Sequence, residues 1–507
     1  MPRWGPRTLA GALLACALSA APACAAAPLV RATVDPTAKS VKVARHFLGI
    51  STEYRGLLPL LGHPQAGVNP VAVQLLANLA TEGQGEPGLR IGGGTADSTW
   101  WNPLGRPRPN GVDIDMDSYS REAIFNFQRA TGAPLILDLN LAAGKVAYAR
   151  DWARAALERL GPSAIEAFEI GNEPDVYASG RPFGTLPRTR PKGYGLPDYS
   201  RELRRFTKSL SGLPGHPTLA GPSTCCGLWD ARTARLVRAQ KGRLGLLSFH
   251  VYATNACSNA TPRDRLTVAN LLGDATLQRA GARLAVIRAQ AAKAHRRVRI
   301  TETNSASCSG RTGITDTYAA SLWMTDWLFL MAAQGFEGVN VHINGNYAPF
   351  SFGYAGDHFV GIAAPSYYGM LLFARATADH ARLLPSTTLT AIARGRAPVH
   401  VWATADRVGH ARIVVINKDR AHAGDALITV HDGRGPATLE RLTAPALDAK
   451  AGVALGGLSV ADRSTDGRLA GTPVTETVTP SGTTYRFPMP AAGAAILTVP
   501  IPTDPFS

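Results

Sequence analysis

Between residues 47 and 342, short strand-like runs alternate with longer amphipathic stretches, and the alternation repeats eight times. The runs are residues 47–50 (leading to Glu53), 89–94, 134–140, 167–173, 218–222, 244–252, 298–302 and 338–342. Amphipathic stretches lie between them, for example residues 69–79, 145–160, 198–210, 274–295 and 316–334. Eight strands alternating with helices specify a (β/α)8 barrel, an α/β fold of the TIM type. A doubly wound open sheet is the rival architecture.

Past about residue 380 the helical periodicity fades. Short runs rich in Val, Leu and Thr recur at residues 399–404, 411–416, 426–430, 437–442, 484–487 and 495–499, punctuated by turn residues. This pattern predicts a C-terminal β-sandwich. The expected division is a leader at 1–27, N-terminal strands at 28–44 that join the sandwich, a barrel at 45–379 and the sandwich at 380–507. The sandwich carries no catalytic cluster, so it reads as a buttress, with polysaccharide binding as the alternative.

The leader has the form of a secretion signal. Arg3 and Arg7 precede an apolar run at residues 9–18, and Ala23-Cys24-Ala25 supplies a small-residue cleavage pattern. The expected location is therefore secreted or periplasmic. Cys16 and Cys24 sit in weak lipoprotein-like contexts, which leaves anchoring as a minor alternative. The formal charge of +16 favours acidic partners. The basic residues are scattered and no nucleic-acid motif is present, so an acidic carbohydrate is the expected partner.

Outside the leader there are four cysteines, Cys225, Cys226, Cys257 and Cys308. Four cysteines allow three connectivities. Each follows a predicted barrel strand, which brings all four to one rim, and a bridge from Cys257 to Cys308 would join adjacent rim loops. No metal-ligand spacing accompanies them, and nothing in the sequence calls for a metal or an organic cofactor.

Two of the predicted strands end in glutamate. Phe168-Glu169-Ile170-Gly171-Asn172-Glu173-Pro174 runs from apolar residues into a turn that Pro174 stiffens. Val298-Arg299-Ile300-Thr301-Glu302 does the same three strands later. The fourth and seventh strands face each other across a barrel mouth. Two facing carboxyl groups suit retaining glycoside hydrolysis, which needs them about 5–5.5 Å apart. Glu173 reads as the acid/base and Glu302 as the nucleophile.

These residues carry a family resemblance. Asn172-Glu173-Pro174 with Glu302 resembles the clan of retaining barrel glycosidases. Within that clan, Arg90-Ile91-Gly92-Gly93-Gly94-Thr95-Ala96-Asp97 and Glu302-Thr303-Asn304-Ser305-Ala306-Ser307 resemble glycoside hydrolase family 79, the β-glucuronidases and heparanases. Glu53, His250-Val251-Tyr252 and the run from Gly338 to His342 fall in the same order. The resemblance implies that Tyr252 positions the nucleophile, that Asn172 binds the sugar 2-hydroxyl, and that Glu53 and Asp97 contact the sugar elsewhere. It implies that Arg90 supports the carboxylates from below, and that His250 and His342 are core or supporting groups. Where heparanase-like members bind the uronate carboxylate with Tyr-Gly-Gly, this chain has Ser307-Cys308-Ser309, followed by Gly310. Backbone N–H groups and the two serine hydroxyls would take over that contact. A loop at residues 176–197 adds Arg181, Arg188, Arg190 and Lys192 on the leaving-group side, either to meet an acidic aglycone or simply as solvated charge.

The function this implies is a retaining, exo-acting β-glucuronidase that releases β-linked glucuronate or its 4-O-methyl form. A neutral-sugar or endo-acting enzyme of the same clan is the alternative. A non-catalytic carbohydrate-binding barrel is the alternative of another class.

Overall fold

Eight parallel strands close into a barrel in the order in which the chain supplies them. They are Leu48–Glu53, Gly88–Gly92, Leu135–Leu139, Ile165–Ile170, Leu219–Thr224, Leu244–Asn255, Arg297–Ser307 and Val339–His342. The last strand pairs with the first, with Val339 opposite Leu48 and His342 opposite Ser51. This computed structural model describes residues 29–81, 84–179, 189–385, 387–389 and 399–503. The expected leader, Arg181 and Arg188 lie outside the described residues. Among those residues no helix is long and apolar enough to cross a membrane.

All eight predicted strands are present, and the open-sheet alternative falls because strand eight returns to strand one. Helices cover the outside of the barrel, and their ends follow local chemistry. Asn69 accepts from the N–H groups of Val71 and Ala72 to start helix Pro70–Ala77, which has Pro70 in its first turn. Asp117 caps Ser118–Thr131, and left-handed Gly132 ends it.

Only a small apolar cluster, Ile136, Ala167, Ala220 and Leu246, fills part of the barrel interior. Buried Arg299, which donates to Asn340 Oδ1 at 2.7 Å, and buried Arg90 make much of the remainder polar. The large apolar core lies instead between the strands and the surrounding helices.

The C-terminal β domain holds two facing sheets. One is built from 387–389, Val30–Val34, Gly424–Val430 and Thr484–Met489. Val30–Val34 runs parallel to Gly424–Val430, so the N-terminal segment is part of this sheet. The other contains Arg382–Leu384, Val399–Ala405, His410–Asn417, Gly493–Pro500 and Ala437–Thr443. Between the sheets lie Val30, Val401, Ile413, Ile428, Phe487 and Leu497. The outer face of the second sheet presents Val414, Ile416 and Ile496 to the barrel's helices. Helix Tyr318–Ala333 sits between the two units and is buried almost all round, which explains its lack of a polar face.

Candidate active site

Arg90, in the second strand, stands fully buried at the centre of the C-terminal half of the barrel. Its Nε donates to Glu169 Oε2 at 2.7 Å, and its NH1 donates to Glu302 Oε2 at 2.6 Å. NH2 donates to Asn172 Oδ1 at 3.0 Å and to Asp138 Oδ2 at 3.2 Å. A buried guanidinium is costly unless paired, and here three carboxylates meet it. Burial disfavours its charge, but Glu169, Glu302 and Asp138 outweigh burial and raise its pKa above the ordinary arginine range.

Glu302 is held at both oxygens. Tyr252 donates its hydroxyl to Oε1 at 2.7 Å, opposite the Arg90 contact at Oε2. His342 Nδ1 lies 3.8 Å from Oε2. Burial pushes a carboxyl pKa up, yet the His342 ring, Arg90 and the Tyr252 hydroxyl together hold Glu302 well below the usual carboxylate range. It is therefore ionised near neutrality, the state an attacking carboxylate requires.

Glu173 follows strand four in a left-handed backbone conformation, φ 54°, just before Pro174. Such a backbone is uncommon for a residue with a Cβ and is kept only where its surroundings enforce it. Here Glu173 N–H donates to Ser223 O on strand five at 3.0 Å. Its Oε1 lies 3.0 Å from His250 Nδ1, while His250 Nε2 lies 3.3 Å from Arg90 NH2. A guanidinium only donates, so Nε2 accepts and Nδ1 carries the proton offered to Glu173. One oxygen each of Glu173 and Glu302 and one His250 nitrogen lie within 4.8 Å of one another. That matches the short carboxyl separation of retaining chemistry and is well under the roughly 6.5–9.5 Å of inverting sites.

A cavity of about 630 Å³ opens over this pair. Glu53, Asn172, Glu173, Tyr252, Glu302, Ser307, Cys308 and Ser309, all expected from sequence, line it. Glu53 also accepts from Gly94 N–H at 3.0 Å and Thr95 N–H at 2.8 Å, and so ties the loop after strand two to strand one. Cys257 and Cys308 are joined by a disulfide between the loops after strands six and seven. Cys308, Ser309 and Gly310 are three consecutive left-handed residues, a sharp turn on the cavity rim.

Asp97, expected at the sugar, accepts at its carboxylate from Tyr177 OH at 2.7 Å and from Ala142 N–H, bracing the rim from behind. Of the described basic residues in the loop after strand four, Arg190 is engaged by Glu202 and the carbonyl oxygens of Leu141 and Ala142. Sequence reasoning missed Glu169 and Asp138 beneath the site, and Arg55, Asn344 and Tyr347 in the cavity wall. An acid within an apolar strand was the available signal for the first two; the rim residues carried none.

A sequence profile described as the glycosyl hydrolase family 79 C-terminal beta domain matches residues 401–496. A beta-glucuronidase of Neurospora crassa is 24% identical over 348 residues, 63% of this chain and 60% of that one. A beta-glucuronidase of Aspergillus niger is 24% identical over 364 residues, 67% and 66% of the two chains. Residues 401–496 thus carry the C-terminal beta domain pattern of glycoside hydrolase family 79. The matches to these curated relatives span less than two thirds of their length. Among solved structures, a 4-O-α-L-rhamnosyl-β-D-glucuronidase of Fusarium oxysporum shares the fold of this chain. Its TM-score is 0.73 at 17% identity, over 92% of this chain and 100% of that one. A family 51 arabinofuranosidase of Xanthomonas axonopodis pv. citri does so at TM-score 0.64 and 16% identity, over 93% and 100%.

Proposed function

We propose that this chain is a retaining, exo-acting β-glucuronidase that releases terminal β-linked glucuronate, or its 4-O-methyl form, from glycans or glycoconjugates. The observation that carries the reading is the Glu173–Glu302 pair, close enough for double displacement and held in unlike surroundings. Protonated Glu173 gives its proton to the leaving oxygen while Glu302 attacks the anomeric carbon. Water, deprotonated by Glu173, then releases the sugar from Glu302. Asn172, oriented by Arg90, meets the 2-hydroxyl.

The choice of a uronate draws on the relatives named beta-glucuronidase, on the basic charge of the chain, and on Arg55 and the turn at 308–310 in the cavity wall. Export to a secreted or periplasmic location fits the leader pattern and the bridge between Cys257 and Cys308. The test is hydrolysis of 4-nitrophenyl β-glucuronide beside the β-glucoside, with Glu302→Ala as control. Release from the glucuronide alone, lost in the variant, is expected. Release from the glucoside alone would keep the mechanism and overturn the sugar.

A further inference from the structure

The end of strand five carries a feature that the reaction above does not use. Cys225 and Cys226 are adjacent in the chain, and their sulfurs lie 2.6 Å apart. Neither belongs to the bridge between Cys257 and Cys308. Both of their backbone N–H groups donate to one carboxylate, Cys225 to Asp175 Oδ1 at 3.2 Å and Cys226 to Asp175 Oδ2 at 3.1 Å. Asp175 stands two residues beyond Glu173, in the turn that presents the acid/base. The pair faces a cleft of about 430 Å³ that also includes Glu173, Tyr252 and Ser307, residues it shares with the catalytic cavity. The cleft therefore leaves the catalytic cavity past the acid/base, the side on which a leaving group departs.

We propose that Cys225 and Cys226 are a modification site, closed as a vicinal disulfide by exchange with an external disulfide, and that the closed pair forms part of the leaving-group wall. The second half of this inference rests on the glucuronidase reading; the first does not. Exchange begins at exposed Cys226, because the hydrogen bond to Cys226 and then burial hold the Cys225 thiol well above its ordinary pKa. The Cys226 sulfur attacks one sulfur of the external disulfide and releases one thiol. The Cys225 sulfur then attacks the Cys226 sulfur and releases the second. Two electrons pass from the pair to the external disulfide, and the two thiol protons end on the released thiols.

Neighbouring Cα atoms are about 3.8 Å apart, short of the span disulfides usually bridge, so chain adjacency makes such a bond easier to reduce than one between distant residues. Closing it fixes the two N–H groups that hold Asp175 and, through Asp175, the turn carrying Glu173.

The full-length chain is incubated with oxidised glutathione, blocked with iodoacetamide, and peptide-mapped by mass spectrometry without reduction. The peptide holding residues 225 and 226 is expected unlabelled and lighter by two hydrogens. After mild dithiothreitol it is expected to carry two labels while Cys257 and Cys308 stay joined. Two labels without any reductant would overturn the site. KM for 4-nitrophenyl β-glucuronide is expected to differ by about threefold or more between the two states, and the difference to vanish in Cys226→Ser. Equal KM in both states would overturn the wall assignment. Failure to cleave any glucuronide would count against the glucuronidase reading alone, because the mass measurement does not depend on turnover.

Discussion

The hydroxyl of Tyr252 and the NH1 group of Arg90 grip opposite oxygens of Glu302, at 2.7 Å and 2.6 Å. Each contact fixes the plane of the carboxylate, and neither requires substrate. Removing the hydroxyl in Tyr252→Phe leaves the carboxylate held from one side. A hydrogen bond to a charged group is worth roughly 1.5–3 kcal/mol, so kcat should fall by about 10- to 100-fold. KM should change far less. Steady-state kinetics on an aryl β-glucuronide make the measurement, and a loss confined to KM would show that Tyr252 binds sugar instead.

Gly93 has φ +70°, and a Cβ placed there would overlap the Glu53 carboxylate. Gly93→Ala is therefore strained twice, in its own backbone and against Glu53. The expected outcome is a loss of about 1–3 kcal/mol in stability and a rise in KM of about tenfold as Glu53 swings from its place. Chemical denaturation and substrate titration read the two effects separately. A stability loss with unchanged KM would reduce Glu53 to a tie between the first two strands.

Arg90 joins the site to the floor beneath it. In Arg90→Leu the carboxylates of Glu169 and Asp138 stay buried without their cation, and breaking a buried pair from one side costs about 3–5 kcal/mol. The denaturation midpoint should fall accordingly. Arg90→Lys keeps the charge but cannot reach Glu169, Glu302 and Asn172 together, so it should restore part of the stability and little of the activity.

Much of this architecture could be read from the chain, because strands covered on both faces leave apolar runs that helical stretches interrupt regularly. Both carboxylates stood out because they end such runs. Glu169 escaped notice inside its run, although Arg90, a cation inside a strand, required an anion to meet it. Asn344 and Tyr347 reach the cavity only because strand eight closes onto strand one. No local pattern encodes that closure. Asp97 follows the glycine-rich turn that shapes the pocket, yet its side chain turns back to Tyr177. Spacing along a chain places a residue near a rim and says little about the direction of its side chain.

The contact between barrel and β domain sets the last expectation, which concerns pH. Asp326, buried in helix Tyr318–Ala333, accepts from Lys418 Nζ at 2.6 Å and from Trp402 Nε1 at 2.8 Å, and it pairs with His400 Nδ1 at 2.7 Å. His400 Nε2 reaches Asp274 at 3.1 Å. Burial works against the His400 charge, but Asp326 and Asp274 prevail and push its pKa up to about 9. Burial likewise opposes the Asp326 charge, yet Lys418 and His400 hold its pKa below the usual range. A raised histidine pKa gives stability that is complete below the unfolded value of about 6.5 and lost as pH climbs through about 9. The lowered carboxyl gives stability that is present above about 3.9 and lost as pH falls through its folded value. The wild-type melting temperature should therefore drop between pH 6 and pH 10, by the equivalent of about 3 kcal/mol at most from His400. In His400→Gln that alkaline loss should shrink while the acid loss from Asp326 remains. An unchanged alkaline slope in the variant would mean that the two units stay docked through their apolar faces alone.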